Sequence, residues 1–357
     1  MAYTTIDDPS AHFQTVLYTG NETARTITND GNSDLQPDFI WNKGRDHAHY
    51  HYLTDTSRGL TKYIYTNAKN AEETFTTYVT GVNSNGFTLG NGQGMNDNTN
   101  VGGGVDYVTW QWKANGGTTS SNTSGDINST VQANTTAGFS IVTYNGNGSS
   151  NQTVGHGLGA TPDFLLWKNY DTDTSGWDWK VWHTGLTGTN YVRINQTGAQ
   201  NSSNGDIDAL PSSTLFTVGN NGSTNGQSGQ NHTIICYAFT SIQGYSKFGS
   251  YTGNGNADGP MVFCGFKPAF VIFKNTTGEH WAMFDRLRTS SGNPINKKLH
   301  PSGAFAESTA DAIDFLSNGF KIRSTEGEFN QNSTSIIFMA FAEHPFVSSE
   351  GVPTTAR

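Results

Sequence analysis

PDFLLWKN at residues 162–169 decides the reading of this chain, because it comes three times: PDFIWNK stands at 37–43 and PAFVIFKN at 268–275. Successive side chains of a β-strand point to opposite faces, so Phe39 and Trp41 would lie on one side and Ile40 on the other. A short run that is apolar on both faces belongs in the middle of a sheet, and a Pro is tolerated where such a strand begins.

The surroundings repeat as well. Upstream of each run stands a Tyr-x-Gly-Asn signal: YTGN at 18–21, YNGNG at 144–148 and YTGNG at 251–255. It is entered through FQTVLY, FSIVTY and YSKFGSY. Downstream come an aromatic-rich stretch (HYHYLTD, WDWKVWH, HWAMFDR), then NGFTLG at 85–90, STLFTVG at 213–219 and NGFKI at 318–322. Each unit closes on an apolar run: YVTWQWKA at 107–114, IICYAFTS at 234–241 and IIFMAFAE at 336–343. The same landmarks in one order, three times, indicate three units of roughly 100 residues. Runs of Val, Ile, Thr and aromatic residues between Gly-Asn and Ser clusters are strands and tight turns. The expected fold is therefore all-β, three tandem β-sandwich, jelly-roll-like repeat domains at 15–115, 138–243 and 244–346. Residues 1–14 read as an N-terminal arm and 347–357 as a C-terminal tail, each a candidate to reach a neighbouring subunit or to fray. The Gly/Ser/Thr-rich stretch 116–137 reads as a linker. Helix is expected at most at 302–317 and around TNAKNAEETF.

Composition narrows the function classes. Of the 357 residues only 14% are charged, against an average of roughly 25%, while 12% are aromatic, so the chain folds but is no typical cytosolic enzyme. A net charge of −9 argues against nucleic-acid binding, and no apolar run reaches the ~18 residues that membrane insertion needs. Two cysteines, Cys236 and Cys264, make no disulfide framework and are expected as buried free thiols. The N-terminal MAYTTIDDPS has neither the basic nor the apolar region of a signal peptide.

Several local clusters carry candidate chemistry. His47, His49 and His51 would share one face of a strand, close enough for a Zn²⁺ or Ni²⁺ site, unless the imidazoles replace the planar rings found there in the other units. Trp177, Trp179 and Trp182 are the candidate stacking surface for a glycan, against burial in a sandwich core. DTDTSGWD at 171–178 faintly resembles a calcium loop but lacks the bidentate Glu. His156, between glycines in VGHGLG, reads as a turn residue without a nucleophile beside it. Asp38 and Asp163 recur after the Pro and read as backbone-binding turn residues. Asp55 and Asp285 lack a carboxylate partner in the second unit, so no repeated acid pair suggests glycoside hydrolysis. Lys43, Lys168 and Lys274, at one offset from their Pro, would end the strand with the amine in water. No cofactor motif is present.

The stretches TSRGLTKYIYTNAKNAEETF, NSNGFTLG, YVTWQWKAN, VGHGLGATPDFLLWKN and FMAFAEHPFVSSEGVPTTAR resemble the tandem β-domain proteins of marine tailed bacteriophages, domains of unknown function in tail-fibre or virion structural proteins. The resemblance implies a non-enzymatic virion component on the particle exterior, made in the host cytoplasm: a tail fibre, a receptor-binding protein or a capsid decoration protein. It further implies other virion proteins as partners, a host surface glycan or protein as a possible receptor, and a homo-oligomer such as a trimer. The alternatives are a lectin-like carbohydrate-binding protein and, less favoured, a glycan depolymerase. No catalytic residue is carried over.

Overall fold

A computed structural model describes residues 2–354 apart from 100–102, 172–175, 228, 230 and 291. It is almost entirely antiparallel β-structure, and its six sheets join into three pairs. One set of four strands, in one neighbour order, recurs in every large sheet. In the first unit these are Phe13–Thr19, Asp106–Trp112, Phe39–Gly44 and His51–Asp55. In the second they are Phe139–Gly146, His232–Phe239, Phe164–Asn169 and Lys180–His183. In the third they are Ser246–Thr252, Ser335–Pro345, Phe266–Asn275 and Ala282–Asp285. The smaller sheet of each pair has Gly86–Leu89, Leu215–Val218 or Gly319–Ile322 as an inner strand.

The strands that opened the reading are central ones, and the reason they are apolar on both faces is that every large sheet is covered twice. Ile40, Leu165 with Trp167, and Val271 with Phe273 face the smaller sheet of their own unit. Phe39 with Trp41, Phe164 with Leu166, and Phe270 with Ile272 face the other way, into one cluster shared by all three units. There Phe39 stacks on Tyr237 with centroids 4.4 Å apart, Phe13 stacks on Phe341 at 5.2 Å, and Phe164 packs on Phe248 at 5.9 Å. Burying a side chain of this size contributes roughly 1.5–3 kcal/mol, so this shared core dominates the contact between units. The third unit also packs on the first, which makes the arrangement a closed ring of three.

The Tyr-x-Gly-Asn signal has one physical role in all three copies. Tyr18, Tyr144 and Tyr251 donate their hydroxyls to the carbonyls of Met95, Thr224 and Phe329. These lie in single helical turns, Gln93–Asn96, Gly222–Asn225 and Gly327–Asn330. The Asn closing each turn reaches back: Asn96, Asn225 and Asn330 accept from the backbone N–H of Asn21, Asn147 and Asn254 at 2.9–3.0 Å. Their amides donate to the carbonyls of Gly90, Gly219 and Ser324 at 2.7–2.8 Å. The Gly of the signal is required by closeness: a Cβ on Gly20, Gly146 or Gly253 would lie 2.2–2.3 Å from the carbonyl oxygen of Asp97, Asn225 or Gln331, at or just after the end of the turn.

Four expectations are corrected. Residues 116–137 are not a free linker, because Ser120–Asn122 and Ser129–Asn134 form a hairpin that extends the large sheet of the second unit. The helix expected at 302–317 is the strand Ser308–Leu316, where Ile313 and Phe315 fall on the core side of a small sheet. Of the other helix candidate, Glu73–Thr74 is a short edge strand. The N-terminal arm folds back on its own chain: Tyr3 donates to the Gly265 carbonyl, Thr4 to that of Gln243, and Ile6 enters the shared core. It thereby ties the first unit to the third. Cys236 and Cys264 are buried free thiols, as expected.

Candidate functional site

The chemistry-bearing side chains gather at the three seams between units, and each seam repeats one plan. A backbone N–H of one unit donates to a carbonyl of the next: Glu72 to Tyr170 at 3.0 Å, Gln200 to Thr276 at 2.8 Å, and Glu307 to Arg45 at 2.5 Å. The first step joins units one and two, the second two and three, the third three and one. Beside them, the Trp179 ring N–H donates to the Tyr65 carbonyl at 2.7 Å and that of Trp281 to the Arg193 carbonyl at 2.8 Å. His51 holds the matching position of the first unit, and at that seam the Thr66 hydroxyl donates to the Pro301 carbonyl at 2.9 Å.

A second repeated contact lies at the end of each fourth strand. Asp55, His183 and Asp285 pair with Phe39, Phe164 and Phe270 in register. Tyr237 donates to Asp55 at 2.8 Å and the Trp110 ring N–H to Asp285 at 3.1 Å, each across a seam. At the remaining seam Met339 holds the register position of Tyr237 and Trp110 and offers no donor. There the acid is replaced by His183, whose Nε2–H donates instead to the Phe338 carbonyl at 3.0 Å. Gly185 N–H donates to Nδ1 at 2.8 Å, which fixes that tautomer. Three residues on, Arg58 and Arg288 bind Asp55 and Asp285 at 2.6 and 2.5 Å, and Leu186 stands at the same offset from His183. A buried guanidinium needs a buried carboxylate, so where the acid is gone the arginine is gone too. Arg58 and Arg288 also bind Glu72 and Glu307 at 3.0 Å, and Arg45 crosses the seam to Glu307 at 3.0 Å.

The repeated lysines correct the expectation that they reach water. Lys43, Lys168 and Lys274 are fully buried, and burial pulls each ammonium down to about 7. Carbonyls surround them: His47 for Lys43, Lys69 and Trp177 for Lys168, Thr197 and Gly278 for Lys274. Lys69 and Thr197 belong to the preceding unit, so two of the three lysines pin a seam. Asp38 caps the backbone N–H of Ala114, Gly116 and Gly117 at 2.7–2.9 Å, and Asp163 that of Ser241 at 2.8 Å, the turn role expected of them.

The two proposed site clusters are not assembled as the alternation suggested. The strand begins at His51, so His47 and His49 lie in the turn before it, their rings 5.5 Å apart. His51 is buried and accepts from the Trp41 ring N–H at 3.0 Å. Among the described residues no group of three His, Cys, Asp or Glu side chains is placed to hold a metal ion. Trp179 and Trp182 are 0% and 5% exposed, their ring N–H groups spent on the Tyr65 and Gly188 carbonyls, so neither offers a face to a sugar. Trp177 is half-buried over Gly222 and beside His232. Half of the calcium-loop candidate, residues 172–175, lies outside the described residues. His156 is a turn residue, with Nδ1 accepting from Leu158 N–H at 3.3 Å.

Among the described residues, recesses open at two places that bear on function. One, about 220 Å³, lies at the seam of the third and first units and holds Gln14, Asp30, Arg286, Glu343 and His344. Glu343 there is paired, Arg286 and Lys267 both binding it at 3.0–3.1 Å. The other, about 230 Å³, is a groove over the added hairpin of the second unit. No ionisable side chain lines it apart from the phenols of Tyr144 and Tyr170. Sequence reading missed Arg58, Arg288, Trp110 and Tyr237. The signal was present in register, since the position that is Asp, His and Asp in the three units changes together with the residue three places on.

A comparison with curated proteins finds no match. Residues 8–345, all three units and both terminal strands of the ring, match one family described as a domain of unknown function (DUF7483), and the chain belongs to that family.

Proposed function

We propose that this protein is a non-enzymatic structural component on the exterior of a bacteriophage particle, either at a tail tip or as a capsid decoration. The observation that carries this reading is the use made of its buried polar groups. Asp55, Asp285, His183, Lys168 and Lys274 each make a hydrogen bond across a seam, and Arg58 and Arg288 hold the two acids in place from within their own units. A chain that invests its ionisable groups in closing a ring is built for rigidity. The threefold plan that particle proteins often obtain from three chains is here supplied within one, which favours attachment as a single chain. The likeness of the repeat motifs to phage virion proteins supports a place on the particle.

The test is antibody labelling of intact purified phage particles, with peptide mass spectrometry of the same particles. The expected result is label on the particle surface and this chain among the particle proteins. Particles free of the chain would refute the proposal.

A further inference from the structure

We propose that the groove on the second unit is a binding site for a neutral glycan. It is built by the hairpin of Ser120–Asn122 and Ser129–Asn134 that residues 120–134 add to the large sheet, an addition placed there in neither of the other units. Side chains on its open face come from neighbouring strands: Ser121, Asn128 and Thr130 from the hairpin and the turn within it, Thr143 and Asn145 from Phe139–Gly146. Thr130 lies directly across from Thr143 in register. None of these five makes a side-chain hydrogen bond to another described residue, whereas Asn and Thr elsewhere in the fold are tied into turns and caps.

The composition of the groove selects its ligand class. Hydroxyls and amides each both donate and accept, which matches the hydroxyls of a sugar; a phosphate or carboxylate would want a fixed positive charge, and none lines the groove. Tyr170 closes one end, half-buried, with the Arg58 guanidinium over its ring at 5.8 Å. An aromatic held in this way gives a sugar ring a flat apolar surface at small entropic cost. The groove thus combines what the buried Trp179 and Trp182 cannot: an aromatic edge and unspent hydrogen-bonding groups on one concave face. This inference stands on the groove's own geometry, whatever the chain's place on a particle.

The experiment is calorimetric and saturation-transfer titration of the full chain with four neutral hexaoses, maltohexaose, cellohexaose, laminarihexaose and mannohexaose, and with hexagalacturonate as the anionic control. Saturable binding of at least one neutral hexaose, and none of the control, is expected. Thr130→Ala with Asn145→Ala removes two exposed partners without touching the core and is expected to weaken binding about tenfold or more; Trp177→Ala is expected to leave it unchanged. Binding of none of the neutral hexaoses, equal binding of hexagalacturonate, or a loss with Trp177→Ala but not with the double variant would each overturn the proposal.

Discussion

Asp55→Ala should be among the most damaging single changes in the molecule. Asp55 is fully buried and Arg58 nearly so, with Arg58 Nε 2.6 Å from the carboxylate. Removing one partner of a buried ion pair costs about 3–5 kcal/mol, because the remaining charge stays out of water without compensation. Glu72, 3.0 Å from Arg58 Nη1, keeps a counter-charge in place, which brings the expected loss to the lower end. The Tyr237 hydroxyl loses its acceptor as well and adds about 1 kcal/mol. The sum is about 4 kcal/mol, measured as a shift in urea midpoint by tryptophan fluorescence. Asp55→His with Arg58→Leu installs the residues that the chain itself uses at His183 and Leu186. That pair removes both charges at once and should recover all but about 1.5 kcal/mol. A loss below about 1 kcal/mol for Asp55→Ala, or a double variant no better than the single one, would refute the account of the seam as a matched charge pair.

Three further outcomes follow from the same geometry. The His183 imidazole is held down to about 4 by burial, and His51 is held well below the ordinary range for the same reason. At these two histidines the unfolded chain therefore binds more protons below about pH 6.5; the stability they contribute is complete above that value and falls between about pH 6.5 and 4, by up to roughly 3 kcal/mol at His183. Melting curves at pH 7 and 4.5 should show this drop, and His183→Gln should flatten part of it. Asn225→Ala leaves the Gly219 and Ser149 carbonyls and the Asn147 N–H without their partner and should cost about 3 kcal/mol; an unchanged melting temperature would contradict the clamp. Light scattering should give a single-chain mass near 38.6 kDa. Deleting residues 1–11 should lower the melting temperature without changing that mass, because the arm closes its own ring through Tyr3, Thr4 and Ile6; a trimer that falls to monomer on deletion would show that the arm acts between chains.

Much of the fold was legible because the repeat exposes it three times. The central position of Phe39–Gly44, the strand character of the closing runs and the turn roles of Asp38 and Asp163 follow from apolar patterning and from the ability of Asp to bind nearby backbone. The hairpin at 120–134 was illegible because Ser, Thr and Asn carry no strand period when only one edge packs; Gln132, meeting Thr56 and Ser57 across the seam, shows that it belongs to the core of the assembly. Residues 308–316 were misread for the opposite reason. Ala and acidic residues favour helix locally, and sheet packing of Ile313 and Phe315 outweighed that preference.

By itself the sequence determined that this chain is β-structure, that its units are alike, and which strands are buried twice, since those properties lie in local patterns that each unit repeats. Only the tertiary structure decided that the units close on one another. With closure came the meaning of the lysines, of Asp55 and Asp285, and of His51 and His183, all of which read locally as surface, incidental or metal-binding residues. The physical reason is range: a strand's facing is set by neighbours two residues away, whereas the partners of Tyr237 and Trp110 lie 182 and 175 residues away and become visible only when the second and third units meet the first.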